Sequence, residues 1–263
     1  MIEYAPTPDS YSNLLAREIA NADANSPFHR FIIIGPSQDN RGTFEKKFAS
    51  RLVFDLFWDI YLKYRTNQME DLYNPFRDSP STAMSARWIF GSRMHQLLTR
   101  QKTIQVFPIL GRCAGEDLIY DDYTASKEQK DSMSLHLTDS EQYLLPEDDS
   151  VELQEGRYYR PNPTNFPKID SLLLFHSPDE QSPVPFMFQI TQTEEHDVNP
   201  KGLDRVNNLK FPSDACRYYV VVTPKDIRPK ITVPTEYFRD KGQQFLPDTF
   251  PVFHYPVRQL FED

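Results

Sequence analysis

Two strand-like runs carry polar residues at positions where apolar side chains would bury better. NFPKIDSLLLF spans residues 165–175 and contains Asp170, whereas FMFQITQTEEH spans residues 186–196 and contains Gln189 and Thr191. Because side chains alternate between the two faces of a strand, Gln189 and Thr191 point to the same face. We expect the two runs to pair as a hairpin, which would bring Asp170 close to Gln189.

Such a pair of residues could bind a divalent cation. Asp170 shares its face with Leu172 and Leu174, so its carboxylate would lie on an otherwise apolar surface. Burying an unpaired carboxylate is costly, so the group needs a cation or hydrogen-bond donors nearby. A carboxylate and an amide oxygen are hard ligands that magnesium accepts. A plainer alternative stays open, in which Asp170 caps the preceding turn and Gln189 satisfies a backbone edge.

The elements that must position these residues follow an α/β pattern. Apolar spacing and turn residues predict helices near 82–98 and 201–209, and strands near 103–110, 169–175, 186–193 and 217–223. This order of helices and strands describes a mixed β-sheet with helices against its faces.

The chain before this pattern is predicted to form a separate extension of strand and helix over residues 1–79, followed by a domain over 80–263. FHRFIIIGP, residues 28–36, is typical of a buried strand, and apolar residues every four positions predict a helix over 44–65. The intervening GPSQDNRGTF lacks the Gly-Lys-Ser/Thr ending of a phosphate loop, so we do not expect nucleotide binding there. The acidic stretch 115–156 lacks sustained periodicity and is predicted to be a surface insertion, partly disordered.

Composition excludes several classes of protein. The 263 residues are 39% hydrophobic, which is enough to build one sizeable core or two small ones. A net charge of -9 argues against a protein that coats nucleic acid by bulk electrostatics, although a local basic groove stays compatible with it. Cys113 and Cys216 are far apart, which is typical of a reduced intracellular chain. Neither a long apolar run nor a signal-peptide pattern is present, so we expect no membrane partner.

Several linked segments resemble one group of known domains. ARWIFGSRMHQLLTRQKTIQVFPIL, GRYYRPNPTNFPKIDSLLLF, FMFQITQTEEHDVNPKGLDRV and YYVVVTP occur in this order across about residues 80–225. Together they resemble the C-terminal domain of the Crinkler and retrotransposon hot spot families. The resemblance implies a variant of the restriction-endonuclease-like PD-(D/E)XK fold, which hydrolyses DNA phosphodiester bonds with magnesium. It also implies action in the nucleus, or in a host nucleus as a secreted effector.

The resemblance gives roles to four residues. Asp170 matches the strand aspartate that binds the metal, and Gln189 matches the second-strand acceptor, which would bind it through the amide oxygen. Thr191 stands where the classical nucleases place a lysine, and its hydroxyl can position a water without supplying positive charge. His196 would lie near the phosphate and donate to it, with an exposed turn histidine as the alternative.

One position of the first helix departs from the family pattern. Gly91 stands where that helix carries a glutamate; glycine offers no ligand and costs a helix interior roughly 1 kcal/mol. His95, one turn later, could fill part of the gap or simply pack in the core. The main prediction is a magnesium-dependent nuclease acting on DNA. The alternative is an inactive nuclease-fold module that binds nucleic acid or a protein partner, from a host or of its own kind.

Overall fold

The computed structural model describes part of the chain, which falls into two compact units: residues 1–93 with 259–263, and residues 94–258. The division into 1–79 and 80–263 stays a prediction. The described residues are 32–36, 44–48, 73–74, 77, 83–100, 102–114, 117–124, 132–137, 140–145, 152–161, 168–175, 183–209, 217–234 and 250–258.

The first unit contains a two-stranded antiparallel hairpin. Strand β1 (Ile32–Pro36) pairs with β2 (Phe44–Phe48), with Ile32 opposite Phe48. The strand predicted near residues 28–36 is confirmed over its described part, but the helix predicted over 44–65 is wrong over residues 44–48. Residues four apart lie on one face in a helix and also in a strand, so the Phe44–Phe48 spacing fits both structures. Residues 49–65 lie outside the described residues.

Helix α1 (Ala83–Leu97) confirms the helix predicted near residues 82–98. Nearly all positions from Ile89 to Leu97 are buried, so the second half of the helix is covered on most sides. The helix buries five hydrophobic residues. These buried hydrophobic residues are Ala86, Ile89, Phe90, Met94 and Leu97.

The second unit is built on one mixed sheet, which confirms the predicted α/β sheet architecture. Among the described residues the sheet has eleven strands, in the order β10-β12-β4-β3-β13-β11-β9-β8-β7-β6, with β5 paired to β3. The strands are β3 (Lys102–Ala114), β4 (Asp117–Asp122), β5 (Met133–Leu137), β6 (Gln142–Leu144), β7 (Tyr158–Arg160), β8 (Ser171–Phe175), β9 (Val184–Ile190), β10 (Glu195–Asp197), β11 (Tyr218–Pro224), β12 (Lys230–Pro234) and β13 (Val252–Val257).

The same sheet contains the two runs that carry Asp170 and Gln189. Strands β8 and β9 pair antiparallel, and β9 and β11 pair parallel. Parallel neighbours need a crossover connection, and helix α2 (Pro200–Asn208) lies in the chain between β9 and β11. Asn199 begins this helix as its N-cap, with the side-chain oxygen accepting from the Lys201 backbone N–H at 2.9 Å. The strands predicted near 169–175, 186–193 and 217–223 and the helix near 201–209 are therefore confirmed.

One face of the central strands forms a large hydrophobic core with α2 and the strands β4 and β12. Leu172 and Leu174 belong to this core, which confirms the face predicted for the residues that alternate with Asp170. The other buried members of the central strands and α2 in the same core are Met187, Leu203, Val206, Tyr219 and Val221.

The acidic stretch 115–156 is not simply a surface insertion. It supplies strands β4, β5 and β6, and Leu118 and Tyr120 of β4 are fully buried. Buried and partly exposed side chains alternate along β4, so its acidic residues occupy the outer positions. Local composition predicted a solvated loop because strand pairing between distant segments, here β4 with β3 and β12, leaves no local signal.

No helix within the described segments is long and apolar enough to cross a bilayer.

Candidate functional site

Asp170 and Gln189 lie side by side at the junction of β8 and β9. Asp170 immediately precedes β8, and its backbone N–H donates to the Phe188 carbonyl of β9 at 2.9 Å. Gln189 is the second-to-last residue of β9, and its Nε2 donates to Asp170 Oδ2 at 2.7 Å. The predicted hairpin therefore brings the carboxylate and the amide into direct contact. The roles of the two residues stay predictions.

A second donor holds the Asp170 carboxylate. The Ile190 backbone N–H donates to the same oxygen, Oδ2, at 2.7 Å. Two short hydrogen bonds to one oxygen fix the orientation of the carboxylate. Gln189 thus uses its amide nitrogen on Asp170 and not on a backbone edge, which the plainer alternative had assigned to it.

The other end of the Gln189 amide lacks a partner in the described part of the chain. The side chain is 6% exposed, and its Oε1 accepts no hydrogen bond from any described residue. A buried acceptor without a donor costs about 1–3 kcal/mol, so such an atom calls for an explanation, such as an ion or water beside it.

A divalent cation fits the chemistry of this pair. One carboxylate and one neutral carbonyl are hard oxygen ligands, and magnesium is commonly bound through one or two carboxylates together with waters and substrate phosphates. The described residues contain no group of three or more His, Cys, Asp or Glu side chains placed to hold a metal. Asp170 and Gln189 would therefore hold such a cation with few protein ligands.

Thr191 directly follows β9 and is engaged in a local turn. Its backbone N–H donates to the Val222 carbonyl at 2.9 Å, which continues the pairing with β11. Its hydroxyl lies 2.9 Å from the Thr193 hydroxyl and accepts from the Thr193 backbone N–H at 3.2 Å. These contacts are typical of a Ser/Thr turn, so the hydroxyl supports the chain reversal that leads into β10.

His196 lies in a strand and is buried, so the alternative of an exposed turn histidine is wrong. It is the middle residue of β10, opposite Ile231 of β12, and is 5% exposed. Burial lowers the pKa of His196 to about 4, and the charge of Lys168 acts in the same direction. The ring is therefore neutral at pH 7, and its Nε2 has no hydrogen-bond partner among the described residues.

Lys168 was not singled out by the sequence analysis, although it stands two residues before Asp170 in the Phe-Pro-Lys-Ile-Asp segment. Its backbone has φ 65°, a left-handed conformation. The Tyr219 hydroxyl donates to its carbonyl at 3.2 Å. Burial raises the pKa of Tyr219 well above its ordinary value, and the charge of Asp170 adds to this effect. The sequence signal for Lys168 was only its position, a cation close to a candidate metal ligand.

His95 contacts the sheet through a hydrogen bond with Tyr158 of β7. Its Nδ1 lies 2.7 Å from the Tyr158 hydroxyl, and both side chains are buried. Burial raises the pKa of Tyr158, and the negative charge of Asp170 also raises it, so Tyr158 lies within electrostatic reach of that carboxylate. Gly91 lies within α1, where an added Cβ would meet nothing within 4 Å, so packing does not demand glycine there.

Comparison with known proteins adds no constraint on this site. No family model, no curated protein and no solved structure matches the chain. The resemblance to Crinkler and retrotransposon hot spot domains stays a hypothesis that rests on the quoted segments, and the chemistry of the site has to be judged from its own geometry.

Proposed function

We propose that this protein is a nuclease-like phosphodiesterase that acts on nucleic acid with a divalent cation, magnesium by preference, held by Asp170 and Gln189. The observation that carries the proposal is the contact between Gln189 Nε2 and Asp170 Oδ2 at 2.7 Å, together with the buried Oε1 that no described residue satisfies. A cation beside this pair would satisfy the Gln189 oxygen.

The proposal includes a restriction-endonuclease-like core. Its supporting feature is the β8–β9 hairpin, which brings Asp170 and Gln189 into contact at its open end. The proposal also includes DNA as the partner and a nucleus as the place of action, as the sequence resemblance implies.

The residues of the site would divide the work of hydrolysis. A bound magnesium ion supplies Lewis-acid chemistry, polarising a phosphoryl oxygen and making a bound water more acidic. Asp170 holds the negative charge of the site, and the Ile190 N–H keeps its carboxylate in one orientation. Gln189 adds a neutral oxygen ligand. His196 is neutral at pH 7, so it can exchange hydrogen bonds but cannot supply the positive charge that a phosphoryl transition state needs.

The test is nicking of supercoiled plasmid with magnesium or manganese ions, comparing the wild-type protein with Asp170→Asn and Gln189→Leu. We expect metal-dependent nicking that both variants abolish. Asp121→Asn is the matched control, because Asp121 is a hydrogen-bonded aspartate of β4 that pairs with Arg112. Equal nicking by the wild type and Asp170→Asn would reject the site.

The second candidate function is a catalytically inactive module with the same fold. It is favoured by the two donors that already satisfy Asp170 Oδ2 without a metal, and by the engagement of Thr191 in its turn. Its partner would be nucleic acid or a protein. Calorimetric titration with manganese separates the two functions: metal binding lost in Asp170→Asn supports the enzyme, and no binding by the wild type supports the module.

A further inference from the structure

We propose that Lys168 is a phosphate-binding residue of this site, contacting a phosphate of the nucleic-acid strand whose neighbouring phosphate lies at Asp170 and Gln189. The choice of nucleic acid as the ligand rests on the proposed function. The placement of Lys168 rests on its own contacts, described below.

The backbone of Lys168 adopts a conformation that its side chain disfavours. Among the described residues it is the one non-glycine residue in the left-handed region, with φ 65°. A Cβ atom makes this region unfavourable, and residues held there cluster at functional sites. Glycine would be the ordinary choice at such a position, so the presence of a long cationic side chain needs a reason.

Contacts of Lys168 itself and of the two residues after it hold the backbone from which this side chain leaves the fold. The Tyr219 hydroxyl donates to the Lys168 carbonyl at 3.2 Å, and Tyr219 is fully buried in the sheet. Ile169, the next residue, is buried, and the Asp170 N–H is bonded to the Phe188 carbonyl at 2.9 Å. Lys168 itself is exposed. An exposed cation thus leaves a hydrogen-bonded backbone two residues before the candidate metal ligand.

The charge of Lys168 also reaches His196, whose pKa it lowers after the larger effect of burial. His196 is 5% exposed and keeps Nε2 without a hydrogen-bond partner among the described residues. The ammonium of Lys168 therefore lies within electrostatic reach of the His196 ring, whose buried Nε2 has no hydrogen-bond partner among the described residues. A phosphate oxygen can accept hydrogen bonds both from an ammonium and from a neutral imidazole N–H. A metal cation cannot accept either hydrogen bond.

Lys168 also supplies a positive charge, which Thr191 does not. The Thr191 hydroxyl is neutral and is engaged with Thr193. A net charge of -9 repels a polyanion, so binding of nucleic acid requires cations placed at the contact itself.

The test is equilibrium binding of the full-length protein to short fluorescein-labelled DNA and RNA strands and duplexes, measured by fluorescence anisotropy in EDTA at several salt concentrations. Lys168→Ala and Lys168→Gly should each weaken binding about tenfold. They should also reduce the slope of log affinity against log salt concentration by about 1, the loss of one phosphate contact. Lys168→Arg should keep most of the affinity. Comparing the loss of affinity for DNA with the loss for RNA shows which nucleic acid Lys168 contacts.

Lys102→Ala is the matched control, because Lys102 begins β3, three strands away from β9 in the sheet, and should leave both affinity and slope unchanged. Binding is measured without metal and nicking is measured with it, so lost phosphate binding and lost hydrolysis are separate results. The proposal is overturned by a Lys168→Ala protein that binds like the wild type, by equal losses in Lys168→Ala and Lys102→Ala, or by a wild type that binds none of these strands.

Discussion

At the scale of single residues, Gln189 is informative because the two ends of its amide have unequal surroundings. Its nitrogen donates to Asp170 at 2.7 Å, whereas its buried oxygen has no partner among the described residues. An apolar residue would avoid the cost of that oxygen, and a second carboxylate would add charge beside Asp170. Glutamine keeps the hydrogen bond to Asp170 without a metal, and in the proposed site it would also offer an oxygen ligand.

Gln189→Glu should lower the stability of the metal-free protein and raise its affinity for a divalent cation. The new carboxylate loses the hydrogen bond to Asp170 and adds a like charge, so we expect the free energy of unfolding in EDTA to fall by about 1–3 kcal/mol. With manganese present, the thermal midpoint should rise more than in the wild type, because two carboxylates bind a hard cation better than one. Thermal unfolding with and without manganese measures both effects.

The double variant Asp170→Asn, Gln189→Glu is the control for Gln189→Glu, since it keeps one carboxylate and one amide with their positions exchanged. It should recover most of the stability lost in EDTA. An unchanged stability of Gln189→Glu in EDTA, with no added response to manganese, would contradict the proposed metal pair.

Lys168 should tolerate glycine better than alanine. Its φ of 65° is unfavourable for any residue with a Cβ, so Lys168→Gly should be more stable than Lys168→Ala by about 1 kcal/mol. Urea unfolding of the two variants gives the difference. A glycine variant less stable than the alanine variant would show that the left-handed conformation is not the dominant constraint at this position.

At the scale of elements, β3 organises much of the sheet because it pairs with three strands in succession. Its early residues pair with β5, its middle residues with β13 and its last residues with β4, with a register shift between Leu110 and Gly111. A Cβ at Gly111 would lie 2.7 Å from the Tyr120 ring of β4. Glycine therefore permits the close approach of two strands at the irregularity.

Gly111→Ala should destabilise the protein by about 1–3 kcal/mol, because the Tyr120 ring is held and cannot move aside freely. The Tyr120 hydroxyl donates to the Phe250 carbonyl at 2.7 Å, and the residue is 1% exposed. Urea unfolding measures the loss. In a Tyr120→Leu background the same glycine substitution should cost less, because a shorter side chain leaves room for the Cβ. Equal costs in both backgrounds would exclude the ring as the cause.

At the scale of the whole molecule, two buried histidines on separate strands link the fold to pH. Burial lowers the pKa of His196 to about 4 and that of His254 to about 4, with smaller contributions in the same direction from Lys168 and Arg228 respectively. His254 Nε2 lies 2.8 Å from the Thr223 hydroxyl inside the sheet. Both rings are neutral in the folded protein near pH 7, whereas in an unfolded chain they take up a proton near pH 6.5.

The protein should therefore lose stability as pH falls from about 6.5 toward 4. In that window the unfolded state binds more protons than the folded state, so the free energy of unfolding rises with pH. The stability contributed by the neutral histidines is fully present above about pH 6.5. Each histidine contributes a loss of roughly 2 kcal/mol between pH 7 and pH 5. His196→Gln should reduce the loss by its share, measured by urea unfolding at the two pH values. His136→Gln, at an exposed residue of β5, is the control; a pH response of His196→Gln equal to that of the wild type would contradict the assignment.

The sequence by itself determined the elements with strong local signals and the pair at the centre of the candidate site. Helices α1 and α2 and strands β8, β9 and β11 carry strong local signals, namely apolar periodicity, apolar runs and caps. Alternation along β8 and β9 also fixed the faces of Asp170 and Gln189, because a two-residue period leaves one choice once the strands pair.

Only the tertiary structure decided the strands with weak local signals, the contacts of Lys168 and the burial of His196. The short strands β4, β5, β6 and β10 exist because distant segments pair with them, so the acidic stretch 115–156 and the His196 turn could not be recognised locally. The left-handed Lys168, its contact with Tyr219 and the burial of His196 likewise depend on residues far apart in the chain. Burial and charge, which set the pKa of His196, are properties of the assembled fold and have no counterpart in a local sequence window.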